Sequence, residues 1–128
     1  MADETRQGGG NRATWEIEFY ETEMGKVPVF EWLQDLPAHE QALALNHIDL
    51  LRLAGLEARR PLVAPLENKM YELRWKGYGK QNRIAYFAFT GRKFILLHAV
   101  VKKTSAWSKK DLDIAMQRMK DYERRHKL

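Results

Sequence analysis

Cysteine is missing from all 128 residues, so neither disulfides nor thiolate chemistry can carry the function. A reducing cytoplasm fits that usage. No apolar run approaches the ~20 residues that a membrane helix needs, so no membrane partner is expected. The opening MADETRQGGGNR lacks the basic and apolar regions of a signal peptide. Residues 1–13 therefore read as a flexible leader before a single domain at 14–128. No His, Asp and Glu cluster has metal-ligand spacing, and no glycine-rich phosphate loop follows a strand. Neither a metal nor an organic cofactor is expected.

What is present is aromatic and unevenly charged. Four Trp, five Tyr and five Phe argue for a folded core of ordinary domain size. The formal net charge is +5, but Met1–Glu57 carries eleven acids against four bases, and Ala58–Leu128 carries eighteen bases against six acids. The halves are thus −7 and +12. Such asymmetry suggests one face built for a polyanion, nucleic acid first among them. A solubilising surface would carry the same charge, so charge alone does not decide.

TWEIEFYE (Thr14–Glu21) sets Trp15, Ile17 and Phe19 against Glu16, Glu18 and Tyr20, the alternation of a half-buried strand. Pro28 suits the first helical position of a short helix with Val29, Phe30 and Leu33 at helical spacing. Pro37 opens a longer helix in which Leu43, His47, Leu50, Leu51 and Ala54 share a stripe, and Gly55 stops it. His47 on that apolar stripe reads as a core residue. EARRPLVAPLENK, with two prolines and no periodicity, reads as a connection. MYELRWK, NRIAYFAF and FILLHAVV are three strands joined by GYGK and TGRK, an antiparallel meander. The last strand is apolar on both faces, as a central strand is. After it comes a helix opened by Ser108 and Asp111 in capping-box spacing, with Leu112, Ala115, Met119 and Tyr122 as its apolar stripe. The fold class is α+β, in the order β-α-α-β-β-β-α: a helical hairpin and a C-terminal helix on a small, mostly antiparallel sheet.

Four segments in register resemble one family. Glu72, Leu73 and Arg74 form an E-L-R strand. Arg83, Ile84, Tyr86 and Phe87 follow in the second strand, and Leu96, Leu97, His98, Lys102, Lys103 and Thr104 in the third. Ala115, Arg118, Asp121 and Tyr122 lie in the closing helix. From about Trp15 to Arg125 this resembles the HigB-like, phage-associated branch of the RelE/ParE toxin superfamily. The resemblance implies a RelE-like fold and the toxin of a type II toxin–antitoxin system. The implied activity is a metal-free endoribonuclease cleaving mRNA in the ribosomal A site. Its implied partners are mRNA, the 70S ribosome and a cognate antitoxin, usually a helix-turn-helix DNA-binding protein. Sister branches poison gyrase by binding, and a nucleic-acid-binding module without toxicity is the third reading. One position departs from the family: many members place a tyrosine just after the basic cluster, where this chain has Trp107, the nearest tyrosine being Tyr122.

The residues can be weighed against that chemistry. Metal-free RNA cleavage needs a base near the ribose 2′-OH, positive charge on the phosphate and an acid for the 5′-oxygen. Arginine binds two phosphate oxygens at once, and a lysine becomes a base when neighbouring cations lower its pKa. Arg74, Arg83 and Lys102 are the first candidates, with Lys103 beside them on the opposite side of the strand. Solvated strand ends would also explain the two lysines, and a cross-strand pair with Glu72 would explain Arg83. His98 is the candidate acid, although a hydrogen-bonded core histidine is the competing reading in so apolar a strand. For RNA binding the candidates are Lys76 and Lys80 near the first turn, and Lys109, Lys110, Arg118, Arg124 and Arg125 on the last helix, gripping backbone phosphates. Trp75 could stack on a base or simply bury.

Overall fold

The computed structural model describes residues 14–102 and 106–127, with only the backbone of Lys102. The expected leader, residues 1–13, and Lys103 lie outside the described residues. The elements are β1 (Glu16–Phe19), α1 (Pro28–Gln34), α2 (Ala38–Ala54), a short 3-10 turn (Gly55–Glu57), β2 (Val63–Pro65), β3 (Tyr71–Gly77), β4 (Lys80–Phe89), β5 (Lys93–Lys102) and α3 (Lys109–Arg125). They build one five-stranded sheet in the order β1-β5-β4-β3-β2, with β1 parallel to β5 and every other pair antiparallel. The chain is an α+β fold of helices on a mostly antiparallel sheet.

Turn chemistry sets the register on which the site depends. Between Gly77 and Lys80, paired across the β3–β4 hairpin, stand only Tyr78 and Gly79, both at positive φ (54° and 75°). Two such residues make the type I′ turn whose twist matches the strands. Counting back from that turn puts Arg74 opposite Arg83. In β5 the ladder skips Leu97, since Ala85 faces His98 while Tyr86 faces Leu96. This β-bulge adds one residue to the strand and changes which face the following side chains take.

Both faces of the sheet are covered. Leu73, Trp75, Ile84, Tyr86, Phe94 and Leu96 meet the helical hairpin through Val29, Leu33, Ala44, Ile48 and Leu51. Met70, Ala85, Phe87, Ile95 and Leu97 meet α3 through Ala115, Met119 and Tyr122. The neighbours Leu96 and Leu97 are each fully buried in different layers, which is why β5 is apolar on both faces. Each such side chain contributes roughly 1.5–3 kcal/mol by leaving water.

Four expectations shift. Val63–Pro65, read as connection, is a short strand on β3; Pro65 is its last residue at the sheet edge, where no ladder donor is needed. Leu50, assigned to the buried stripe of α2, is 43% exposed, because the inward face runs through Ala44, Ile48 and Leu51. Phe30 points outward in the same way, leaving Val29 and Leu33 to bury α1. Tyr20, grouped with the outward glutamates, lies beyond the end of β1 and is buried against α3. Gly55 does end α2, and glycine is required there: its φ is +61°, and a Cβ would lie 2.8 Å from the Trp15 indole.

The buried end of Tyr20 is tied to α3 by a charge network. Its hydroxyl donates to Asp121 Oδ2 at 2.6 Å, and Arg124 and Arg125 donate to the same carboxylate. The Tyr20 hydroxyl first, and the two guanidiniums after it, hold the Asp121 carboxyl down at about 2. A depressed carboxyl stabilises the fold above its ordinary value near 3.8, and that contribution is lost as pH falls through about 2. Thermal melts between pH 5 and pH 2 should therefore show the wild-type advantage over Tyr20→Phe shrinking with acid. An advantage that stays constant down to pH 2 would mean that this hydrogen bond does not set the Asp121 titration.

Candidate functional site

At the turn end of the β3–β4 hairpin, strand alternation places Glu72, Arg74 and Arg83 on the α3 side of the sheet. Two arginines directly opposite one another repel, and the structure sets a carboxylate beside them. Glu72 Oε1 accepts from Arg83 Nη1 at 2.9 Å and from Trp107 Nε1 at 3.0 Å. Its Oε2 lies 3.9 Å from Arg74 Nη1. Arg83 also donates through Nη2 to Gln81 Oε1 at 3.0 Å. Glu72 and Arg83 are buried, at 5% and 3% exposure. The cross-strand pair that the sequence left open for Arg83 is thus formed. Arg74 differs: its side chain is 30% exposed and donates through Nε to the carbonyl of Pro61 at 3.3 Å.

The arginines border a cavity of about 680 Å³ at the sheet edge, walled on its other side by His47, Leu62, Trp75 and Asn82. Lys102, at the end of β5, has its backbone opposite Gln81, so it joins the same end of the sheet. Trp75 is buried, with His47 stacked on it at 5.2 Å and Trp32 edge-on. Its ring is therefore committed to packing. His47 has its Nδ1 2.9 Å from the Leu43 carbonyl, which fits the core role expected of it.

His98 has both ring nitrogens engaged. Nε2 lies 2.8 Å from Asp111 Oδ1, and Arg118 Nη1 lies 3.3 Å from Nδ1. An arginine can only donate, so Nδ1 is the acceptor and Nε2 carries the hydrogen shared with Asp111. The bulge creates this contact by turning His98 toward α3. Among the described residues no group of three or more His, Asp or Glu could hold a metal ion.

A protein-family profile described as "Phage derived protein Gp49-like (DUF891)" matches residues 31–120, a span running from α1 through β5 and into α3. The chain belongs to the Gp49-like family. That family is a RelE/ParE-like toxin family. No curated protein matches the chain.

In this Gp49-like chain the remaining basic candidates separate into two groups. Lys76 and Lys110 are exposed, and Lys109 is exposed with an i,i+4 partner in Asp113. Lys80 reaches Glu40 on α2 at 3.1 Å. Arg118 is turned inward, donating to the Leu97 carbonyl and lying against the Tyr20 ring, and desolvation lowers its pKa. Arg124 and Arg125 are bound to Asp121, and Arg125 also reaches the Glu21 carbonyl. Tyr122 packs among Phe87, Phe89 and His126. Phe89 is at the far end of β4, about 20 Å along the strand from Arg83 at ~3.3 Å per residue, so Tyr122 does not join the arginines. Trp107 does, through Glu72. Three residues of the site escaped the sequence reading. Asp111 showed itself only as a helix cap, and Gln81 and Asn82 gave no signal beyond lying beside Arg83.

Among the described residues, no helix is long and apolar enough to cross a membrane.

Proposed function

We propose that this Gp49-like chain is a HigB-type toxin of a type II toxin–antitoxin pair, and a metal-independent, ribosome-dependent mRNA endonuclease held inactive by a cognate helix-turn-helix antitoxin. The observation that carries the reading is the arginine row at a cavity mouth: Arg74 opposite Arg83, with the Lys102 backbone arriving opposite Gln81. Phosphoryl chemistry without a metal needs fixed positive charge where negative charge develops. Here Glu72 fixes Arg83, and the partly exposed Arg74 presents its guanidinium to a phosphate. Lys102, whose backbone arrives at the arginines' end of the sheet, takes the proton from the 2′-OH. The 2′-oxygen then attacks phosphorus, and the 5′-oxygen leaves with a proton taken from a general acid, the role for which His98 is the candidate.

A second reading has an observation in its favour. Arg83 and His98, two of the catalytic candidates, already face carboxylates, Glu72 and Asp111. Groups occupied in this way suit a toxin that acts by binding alone, as the gyrase-directed relatives do. Two measurements separate the readings. Induction of the chain alone should arrest bacterial growth, and co-expression of a cognate helix-turn-helix antitoxin should relieve it. Purified chain added to programmed ribosomes should cleave the A-site codon, and should still do so after brief chelation that leaves the ribosomes intact. Growth arrest with uncut mRNA would favour the binding toxin. Normal growth at confirmed soluble expression would remove the toxin reading altogether.

A further inference from the structure

The outward face of α2 is apolar where a surface helix is normally polar. Its inward face is already used, with Ala44, Ile48 and Leu51 buried in the layer beneath. On the other side Leu45 is 47% exposed and Leu53 64%, and Leu56, in the turn that follows, is 72% exposed. Single surface leucines need no explanation, but three along one helix and its turn make an apolar ridge, and such patches mark interaction sites. The residues before Thr14 hold no valine, leucine, isoleucine or aromatic side chain, so they do not supply a cover.

The pattern along the ridge is self-complementary. Between Gln41 and Ala54 the only Asp, Glu, Lys or Arg are Asp49 and Arg52, one of each sign, and they pair within the helix at 2.8 Å. Their midpoint falls between Leu50 and Leu51. A twofold axis through that point runs a second α2 antiparallel to the first. Asp49 of each copy then faces Arg52 of the other, and two pairs become four alternating charges. The same axis relates Leu45 to Leu56, since both lie equally far from the midpoint. Leu56 borders a hollow of about 270 Å³ walled by Gly55, Ala58, Tyr71 and Phe94. A knob at one end of the ridge thus meets a hole at the other.

We infer that a second copy of this chain docks on α2, antiparallel across that twofold, with Leu45 of one copy at the hollow beside Leu56 of the other. The contact is small. A helix of 17 residues is about 25 Å long and ~10 Å wide, so each copy covers roughly 250–300 Å², against the ~800 Å² per partner of a stable interface. The dimer is therefore weak, and its population follows the chain's concentration. The helical hairpin and α3 cover opposite faces of the sheet, so the arginine row on the α3 side of each copy stays outside the contact. The dimer presents two such sites, and the inference holds whether or not they cleave RNA.

Sedimentation equilibrium of the full chain from about 10 µM to 1 mM reads the association directly, since that window spans weak contacts. The mean mass should rise from one chain toward two. Leu45→Lys changes an exposed side chain, so the variant should melt like wild type and remain a single chain throughout. The decisive variants reverse a charge. Asp49→Arg sets four cations around the axis and Arg52→Asp four anions, so each should associate at least about tenfold more weakly than wild type. Mixed in equal amounts, the two should regain the dimer, because each then meets the opposite sign. A wild-type mass fixed at one chain up to ~1 mM would overturn the inference, and that outcome needs no variant to fold. A dimer that persists in Leu45→Lys would move the contact to another face. Failure of the mixture to associate, where wild type does, would sink the antiparallel twofold. A chain that stays monomeric yet loses a cognate antitoxin on Leu45→Lys would give the ridge to that partner and remove the second copy.

Discussion

Glu72→Ala should lower the stability of the fold by about 3–5 kcal/mol, because it leaves the Arg83 guanidinium buried without its carboxylate. The pair is 2.9 Å apart, with side chains 4% and 7% exposed, so solvent offers little screening. The same substitution takes away the acceptor of Trp107 Nε1 and the nearest anion to Arg74. Glu72→Gln keeps an acceptor for both donors but no charge, and should lose less. Replacing both members, Glu72→Leu with Arg83→Met, removes the desolvation cost along with the attraction and should fall near wild type. Urea unfolding of the single and double variants, with unchanged m-values, reads the differences directly. A loss below about 1 kcal/mol for Glu72→Ala would place the pair among ordinary surface bridges. It would also remove the argument that Glu72 fixes Arg83 for chemistry.

Much of this arrangement follows from local rules. The alternation of MYELRWK puts Glu72 and Arg74 on one face, and the GYGK turn fixes the hairpin register. Together they place Arg83 opposite Arg74, with Glu72 one diagonal step away. The double-sided apolarity of FILLHAVV correctly marks a central strand covered by helices on both sides. Ser108 caps α3 as its spacing suggests, its hydroxyl accepting from the Asp111 amide at 3.1 Å.

What stayed hidden depends on departures from those rules. Strict alternation from Ile95 and Leu97 would turn His98 toward the hairpin. The bulge turns it to α3 instead, where Asp111 and Arg118 meet it. Nothing in LLHAVV announces a bulge, since the strand has neither glycine nor proline at that point. Leu50 was misplaced for a different reason. It is next to Leu51 in a helix rich in leucine, so several stripes fit the pattern, and packing against β3 chooses among them. Helical spacing also shows which charges lie off the apolar stripe of α3, but not which ones find partners. Arg118, Arg124 and Arg125 all engage groups within the fold, whereas Lys109 and Lys110 stand exposed at the start of α3, Lys109 pairing with Asp113 one turn on.

That division decides the second large effect expected. Arg74→Ala and Lys102→Ala should each lower the saturated single-turnover rate of mRNA cleavage on programmed ribosomes by about 10²–10³, the usual cost of removing one preorganised donor from a developing oxyanion. Binding to the ribosome should weaken no more than about tenfold, one phosphate contact's share. Arg74 suits this test because it is partly exposed and its nearest carboxylate oxygen is 3.9 Å away, so truncation strands no tightly paired buried charge. Arg83→Ala does not, since the loss of stability from stranding Glu72 would mix with any loss of rate. The double variant Lys109→Ala with Lys110→Ala serves as the contrast. Both side chains are exposed and reach backbone phosphates at most, so the variant should weaken binding and flatten its salt dependence by about one contact per lysine. Its saturated rate should stay near wild type, since uniform binding does not alter the step after saturation. Full-rate cleavage by Arg74→Ala and Lys102→Ala would take the chemistry away from this end of the sheet. The site would then have to be sought at His98 and Asp111, with His98→Ala and Asp111→Asn as the variants to measure.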